Sequence, residues 1–461
     1  MIYVCDAIMG AGKSTAAINY MNSHKDRRFI YVTPNNDETK RIRHACPDLH
    51  FVLPSNMSDE YEHQKRVHFK HLLSCGENIA TTHVLFSLCD EEAISMIEEQ
   101  GYTLMIDESV AALDKIPAKA DDVRMAMGSE WFQCNDIDDG NVHEITTSGK
   151  EYTGSWMRDI KLYAQSHRLV ALKDADGEDK LYCWMFNSKL FTMNIDTFVL
   201  TYIFTASPMS YLFQMHNISY QYIGVVKDQD GNFQFSWTDM YIPEYTKRLK
   251  EMIHIVKRER MNRVGAKCNG KSNQWSINNT NEHLKHRSDG KIDALKKNLD
   301  NYFNNIHRGS SPEEKLWTCY PKALSALKGR GYASRYLVFN QRATNDYKSA
   351  RILAYCFNVY MPLWEKRYYE KLGITVDENA YSLSVLIQWI WRSAIRDGEE
   401  IWIYIPVQRM RELLEQWIDE VSSGVVGGAV GTTVSPNHYA AQDEEASAAK
   451  EITYEKQAIN M

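Results

Sequence analysis
Apolar positions fall in short runs separated by segments of helical period, the rhythm of an α/β protein. Residues 1–5, 28–33, 78–83, 102–106 and 197–204 read as strands. Asp90 to Gln100 predicts a helix, capped by Asp90 and stopped by Gly101. From 109 to 197 the rhythm is lost. Short alternating segments and the turns Asp139-Gly140 and Asp176-Gly177 predict hairpins, an insertion in the first domain. A second domain is expected from about 215, with strands at 222–226, 252–256, 335–339 and 401–405. Residues 381–396 read as one helix with Leu383, Leu386, Ile387 and Ile390 on one face. A helix over 408–421 follows, then a tail from Ser422 rich in Gly, Ser and Ala, expected to be disordered.

Composition adds limits. With 461 residues the chain has room for two to three domains. No apolar run reaches the roughly 18 residues of a membrane span, and no charged leader precedes an apolar stretch. No membrane partner and a cytoplasmic setting are therefore expected. Nine scattered cysteines without a C-x-x-C pair suggest neither a zinc module nor a disulfide framework. His63, His68 and His71 read as a solvated helix face rather than metal ligands. The net charge of −7 does not itself suggest nucleic acid. Residues 247–297 are the exception, with fourteen Lys or Arg against five Asp or Glu, or +9. With Trp275 and several Asn, this stretch suits a phosphate backbone and stacked bases; a solvated basic surface is the alternative.

Candidate chemistry begins with the first strand. Ala7-Ile-Met-Gly-Ala-Gly-Lys-Ser-Thr15, between a strand and a helix, has the form of a phosphate-binding loop. Gly10, Ala11 and Gly12 would wrap a phosphate with backbone N–H groups, with Thr15 beside them. Lys13 would reach the β- and γ-phosphates, and Ser14 would offer its hydroxyl to Mg²⁺. The strand at 102–106 ends in Asp107-Glu108: Asp107 suits Mg²⁺, and Glu108 suits activation of an attacking water. Thr205 and Ser207, after the strand at 197–204, could bond a carboxylate and the next domain. Gln388, Arg392 and Arg396 fall at i, i+4 and i+8. One helix face would then carry a glutamine and two arginine-finger candidates towards a triphosphate.

The ordered set of phosphate loop, Thr-Thr-His83, Asp-Glu108, Thr-Ala-Ser207, Arg342-Ala-Thr-Asn345 and Gln388-x-x-x-Arg-x-x-x-Arg396 resembles the superfamily 2 helicases. It is similar to their phage-encoded type and, more distantly, to herpesvirus-type origin-binding helicases. That resemblance implies two tandem RecA-like P-loop domains: residues 1–214, with an insertion at about 109–197, and residues 215–421. A disordered tail over 422–461 completes the expected architecture. It implies ATP and Mg²⁺ in the cleft between the domains, and Thr205 and Ser207 coupling hydrolysis to domain movement. It places Thr33, Pro34, Thr81, Thr82, Arg342, Thr344 and Asn345 against the nucleic-acid strand. Two departures stand out. The final two arginines are four residues apart rather than three, which leaves open which is the finger. Ser109 follows Asp-Glu where alanine is commoner.

The expected function is an ATP-dependent nucleic-acid helicase or translocase acting in phage replication or recombination. Its cytoplasm would then be the host's. DNA is favoured over RNA as the track, although backbone-gripping residues do not discriminate. The tail is expected to be passive, or else a tether for replication or recombination proteins. Another motor class, such as a DNA-packaging ATPase, is the alternative. It fits less well because no cluster of acids follows the first domain as a nuclease would need.

Overall fold
The computed structural model describes residues 1–56, 65–116, 120–137, 142–150, 158–165, 168–173, 179–268, 270, 272–339, 346–424 and 427–435. The first domain opens with β1 (Ile2–Asp6), β2 (Phe29–Thr33), β3 (Ile79–Thr82) and β4 (Thr103–Asp107). All four are almost wholly buried, as apolar strands covered on both faces should be. A separate antiparallel sheet follows: β5 (Leu113–Lys115), β6 (Phe132–Ile137), β7 (Val142–Thr147), β8 (Leu169–Lys173) and β9 (Asp179–Met185). Its order is β5-β9-β8-β7-β6, the meander expected of an inserted hairpin module. The expected Asp-Gly turns at 139–140 and 176–177 lie outside the described residues. The chain then returns to the main sheet with β10 (Thr197–Thr201), β11 (Tyr220–Lys227) and β12 (Phe233–Ser236).

The second domain carries β13 (Ile253–Ile255), β14 (Lys315–Cys319), β15 (Ile352–Cys356) and β16 (Ile401–Tyr404), all parallel, in the order β13-β16-β15-β14. Finally β17 (Thr433–Val434) comes back to the first domain and pairs antiparallel with β11.

The main sheet runs β12-β11-β1-β10-β4-β2-β3. The phosphate-loop strand β1 is thus separated from the acid-bearing β4 by β10, and all three are parallel. This agrees with the expected RecA-like arrangement: the loop and the acid pair both emerge from the carboxyl ends of parallel strands flanking β10, where α/β sheets bind ligands.

Three boundaries differ from expectation. Residues 222–226 belong to β11 of the first sheet, so the second domain starts later than 215. Residues 335–339 form no strand; Tyr336 makes only an isolated bridge to Trp317, while the unforeseen β14 and β15 occupy the sheet. The tail is not free from Ser422. Gly428 N–H donates to the Asp6 carbonyl (3.1 Å), Gly431 N–H to the Tyr222 carbonyl (2.8 Å), and β17 completes the edge. Its remainder from 436 lies outside the described residues.

Candidate functional site
The loop between β1 and helix α1 (Lys13–Ser23) takes the shape its glycines permit. Gly10 and Gly12 have φ of 77° and 86°, values that L side chains rarely adopt. The Lys13 ammonium donates to the carbonyls of Ala7 (2.5 Å) and Ile8 (3.2 Å), folding the loop around it. Burial lowers the Lys13 pKa, and Asp107, Asp6 and Glu108 act to raise it. The Cys5 thiol beneath the loop is buried. Thr15 is exposed on the first turn of α1 and Ala11 is buried.

The acid pair stands opposite. Ser14 Oγ lies 3.4 and 3.5 Å from the two Asp107 carboxylate oxygens. Two further residues fix Asp107, neither foreseen: the Tyr31 hydroxyl donates to Oδ2 (3.1 Å), and His83 Nε2 meets its backbone carbonyl (2.8 Å). Tyr31 and His83 come from β2 and from the turn after β3, so only sheet register brings them here. Desolvation, then the neighbouring Glu108, push the Asp107 carboxyl up to about 6, while the Tyr31 bond acts downwards. A half-buried carboxylate facing a hydroxyl and a second acid is a donor set that suits a hard divalent cation. Glu108 has φ of 64°, uncommon for a non-glycine residue and locally costly, of order 1–3 kcal/mol.

Beyond β10, Ser207 spends its hydroxyl capping helix α2 (Pro208–Met215), accepting from Ser210 N–H (3.1 Å). Thr205 is exposed. The contact across the sheet is made instead by Asp6, whose Oδ2 accepts from the Phe204 amide (3.1 Å). Asp6 ends β1, so the loop strand and this turn are joined directly.

The second domain reaches the site through aromatic rings. Tyr245 donates its hydroxyl to the Met9 carbonyl of the loop. Trp391 lies 6.0 Å from Tyr245 and 5.6 Å from Trp417, whose indole N–H donates to the Tyr202 hydroxyl (2.8 Å). The helix bearing Gln388 packs on the Phe204–Ala206 turn.

The single expected helix is, however, two pieces. Helix α4 follows α3 (Leu363–Lys371), spans Glu378–Ile390 and carries exposed Gln388. Ser393 ends α4 because both its hydroxyl (2.6 Å) and its amide (3.0 Å) take the Ile390 carbonyl, competing with helix continuation. Arg392 sits in the turn and Arg396 in a short 3-10 segment (Ala394–Asp397), so the three residues do not line one helix face. Arg392 is half-buried and Arg396 exposed.

The expected polymer contacts fare unevenly. Thr33 and Thr81 are buried, at 0% and 2% exposure, and their hydroxyls are not at the surface. Thr82 caps the helix His83–Phe86; Pro34 is half-buried. Arg342, Thr344 and Asn345 lie outside the described residues. Trp275 is 1% exposed and donates its indole N–H to Val264 O (3.0 Å), so it is core rather than a stacking platform. Lys250, Lys257 and Lys267 pair with Asp419, Glu415 and Glu412 along helix α5 (Gln408–Ser422), which offsets part of the basic stretch. His63 lies outside the described residues; among those described, no cluster of His, Cys, Asp or Glu could hold a metal ion by itself.

Comparison with known proteins adds a family. Residues 247–418 match the model described as the YonV C-terminal Rossmann-like domain. The SPbeta prophage-derived uncharacterized protein YonV of Bacillus subtilis (strain 168) is 32% identical over 421 residues, covering 91% of this chain and 98% of that protein. The chain belongs to the YonV family. Among solved structures, S. tokodaii Xpd4 aligns over 90% of this YonV-family chain and 94% of its own, at 12% identity and a TM-score of 0.43. An XPD helicase aligns with the same coverages at 10% identity and a TM-score of 0.40. Likeness at that level carries no argument about activity. Among the described residues no helix is long and apolar enough to cross a membrane.

Proposed function
We propose that this YonV-family protein is an ATP-dependent nucleic-acid helicase or translocase. The observation that carries the reading is the approach of Ser14 Oγ to within 3.4 Å of the Asp107 carboxylate, at the mouth of the glycine-rich loop. Ser14 and Asp107 would hold Mg²⁺, which neutralises charge on the β- and γ-phosphates when bound. Gly10 to Thr15 would bind the triphosphate, with Lys13 exchanging its carbonyl partners for phosphate oxygens. Glu108 would position and deprotonate the attacking water. Arg392 or Arg396 would supply charge to the transition state from the second domain.

The coupling role passes from the Thr205 and Ser207 hydroxyls to their turn. Asp6 holds one end of it and α4 rests on it, so movement at the loop strand is felt by the Arg-bearing segment. Alternating grip by two domains would convert this cycle into steps along a strand. DNA is the favoured track, and phage replication or recombination the setting, in keeping with the prophage origin of the B. subtilis relative.

The test is steady-state ATP hydrolysis alone and with single-stranded DNA, duplex DNA or RNA, at two salt concentrations. Stimulation by one polymer, falling with salt, is expected. Hydrolysis indifferent to every polymer would overturn the motor reading.

A further inference from the structure
The outer side of the phosphate loop carries an aromatic cluster that none of the expected motifs includes. Strand β11 flanks β1 on the side away from β10 and β4, and therefore away from Asp107. Its hairpin partner β12 packs on α1, where Asn19 Nδ2 donates to the Phe233 carbonyl (2.9 Å). The Phe233 ring lies flush on the loop: a Cβ added to Gly12 would stand 2.3 Å from it. Tyr241 meets Phe233 edge-to-face at 5.7 Å. The Lys227 ammonium sits 5.1 Å from the Phe233 centroid and 4.5 Å from that of Tyr241. Both rings are half-exposed and Lys227 is exposed.

Packing alone does not account for this group. A surface cation over a ring contributes little to stability. Lys227 has no carboxylate partner among the described residues, and its three N–H donors are not spent on the fold. The direction of a bound triphosphate matters here. Its terminal phosphate belongs beside Ser14 and Asp107, so the phosphate chain runs back along the loop and the nucleoside leaves on the opposite side. That side is where Phe233, Tyr241 and Lys227 stand.

We infer that these three residues form the nucleobase subsite and that it takes a purine. The inference rests on the triphosphate site proposed above. Tyr241 offers a stacking surface, Phe233 sets its position against Gly12, and Lys227 donates to acceptor atoms on the ring edge. A purine has the larger stacking face and the richer acceptor edge, and base–aromatic stacking is sensitive to truncation of the ring.

The test is equilibrium binding to the full chain, with Mg²⁺, of ATP, GTP, CTP and inorganic tripolyphosphate. At least one purine nucleotide should bind about 10-fold or more tightly than CTP and tripolyphosphate. Tyr241→Ala should erase that margin and leave tripolyphosphate affinity unchanged, while Tyr241→Phe should retain it. Lys227→Met should cost purine binding alone by several fold. Equal binding of all four ligands by the wild type would overturn the subsite and leave the phosphate loop standing. So would a Tyr241→Ala variant that loses ATP and tripolyphosphate alike. Binding of none of the four would bring down the triphosphate site itself.

Discussion

The two parallel sheets spend the carboxyl ends of their strands differently. In the first, β1 and β4 end on Asp6 and on Asp107-Glu108, with the Lys13 ammonium close by. In the second, β14 and β15 end on Cys319 and Cys356, and the polar hub just beyond them is closed on itself. There Asn358 donates to the carbonyls of Ser272 (2.6 Å) and Gln274 (3.0 Å) and accepts from Arg409 (3.1 Å). Arg409 also donates to the carbonyls of Val359 (2.9 Å) and Glu378 (3.1 Å) and to Ser382 Oγ (2.9 Å). The second hub is satisfied by its own fold. The first holds a carboxyl raised to about 6 and a strained Glu108, which folding does not reward. Groups left in that condition are candidates for chemistry rather than for architecture.

Five substitutions would break or sharpen that contrast. The largest effect is expected at Lys13. Lys13→Ala should leave no measurable ATP turnover while circular dichroism and the melting temperature stay close to wild type; normal turnover would remove the first sheet's claim to chemistry. Next come the two arginines after α4. Alanine at the finger should cost about 10³-fold in turnover, and at its neighbour far less, with neither change moving the melting temperature much. If both variants turn over normally, the second domain contributes no charge to the reaction.

Arg409→Ala should do the reverse. It strips charge-assisted bonds from Asn358, Ser382 and two carbonyls, and denaturant melts should show a loss of about 2–3 kcal/mol. A variant as stable as wild type would show that the second hub is not structural.

The smallest effect is a gain. The unfolded aspartate titrates near 3.9, so a folded value of about 6 penalises the ionised form. That penalty is complete above about pH 6 and gone below about pH 4, so stability falls as pH rises through this window. Asp107→Asn should therefore stabilise the nucleotide-free protein by about 1–2 kcal/mol near pH 7.5. The gap to wild type should close on acidification. A variant less stable than wild type at pH 7.5 would mean that the Asp107 charge is compensated after all.

The sites written contiguously were legible in the chain. The phosphate loop and the acid pair each occupy a few consecutive residues, and β1 and β4 present them as local pattern predicts. Tyr31, His83 and Asp6 were not legible, because each meets its partner only once strand order and register are set. The helix over 381–396 failed for a local reason. Its apolar spacing continues past Ile390, but one serine diverts the carbonyl the next turn needs. Trp275 misled because cations and amides surround it in sequence while Val264 and the core surround it in space. Strand β11 was assigned to the wrong domain because hydrophobic pattern identifies a strand without naming its sheet.

The return of the chain to the first sheet makes the second domain an insert with two attachments: the stretch after β12 and the stretch before β17. A domain joined by one linker swings like a pendant. One joined at two points turns about the line between them, as a door turns on two pins. The second domain is thereby held to the first sheet at both its ends, and the Gly428 bond to Asp6 places one pin against the carbonyl of the residue that ends β1. Shortening the chain to residue 421 would not trim an ornament; it would draw that pin.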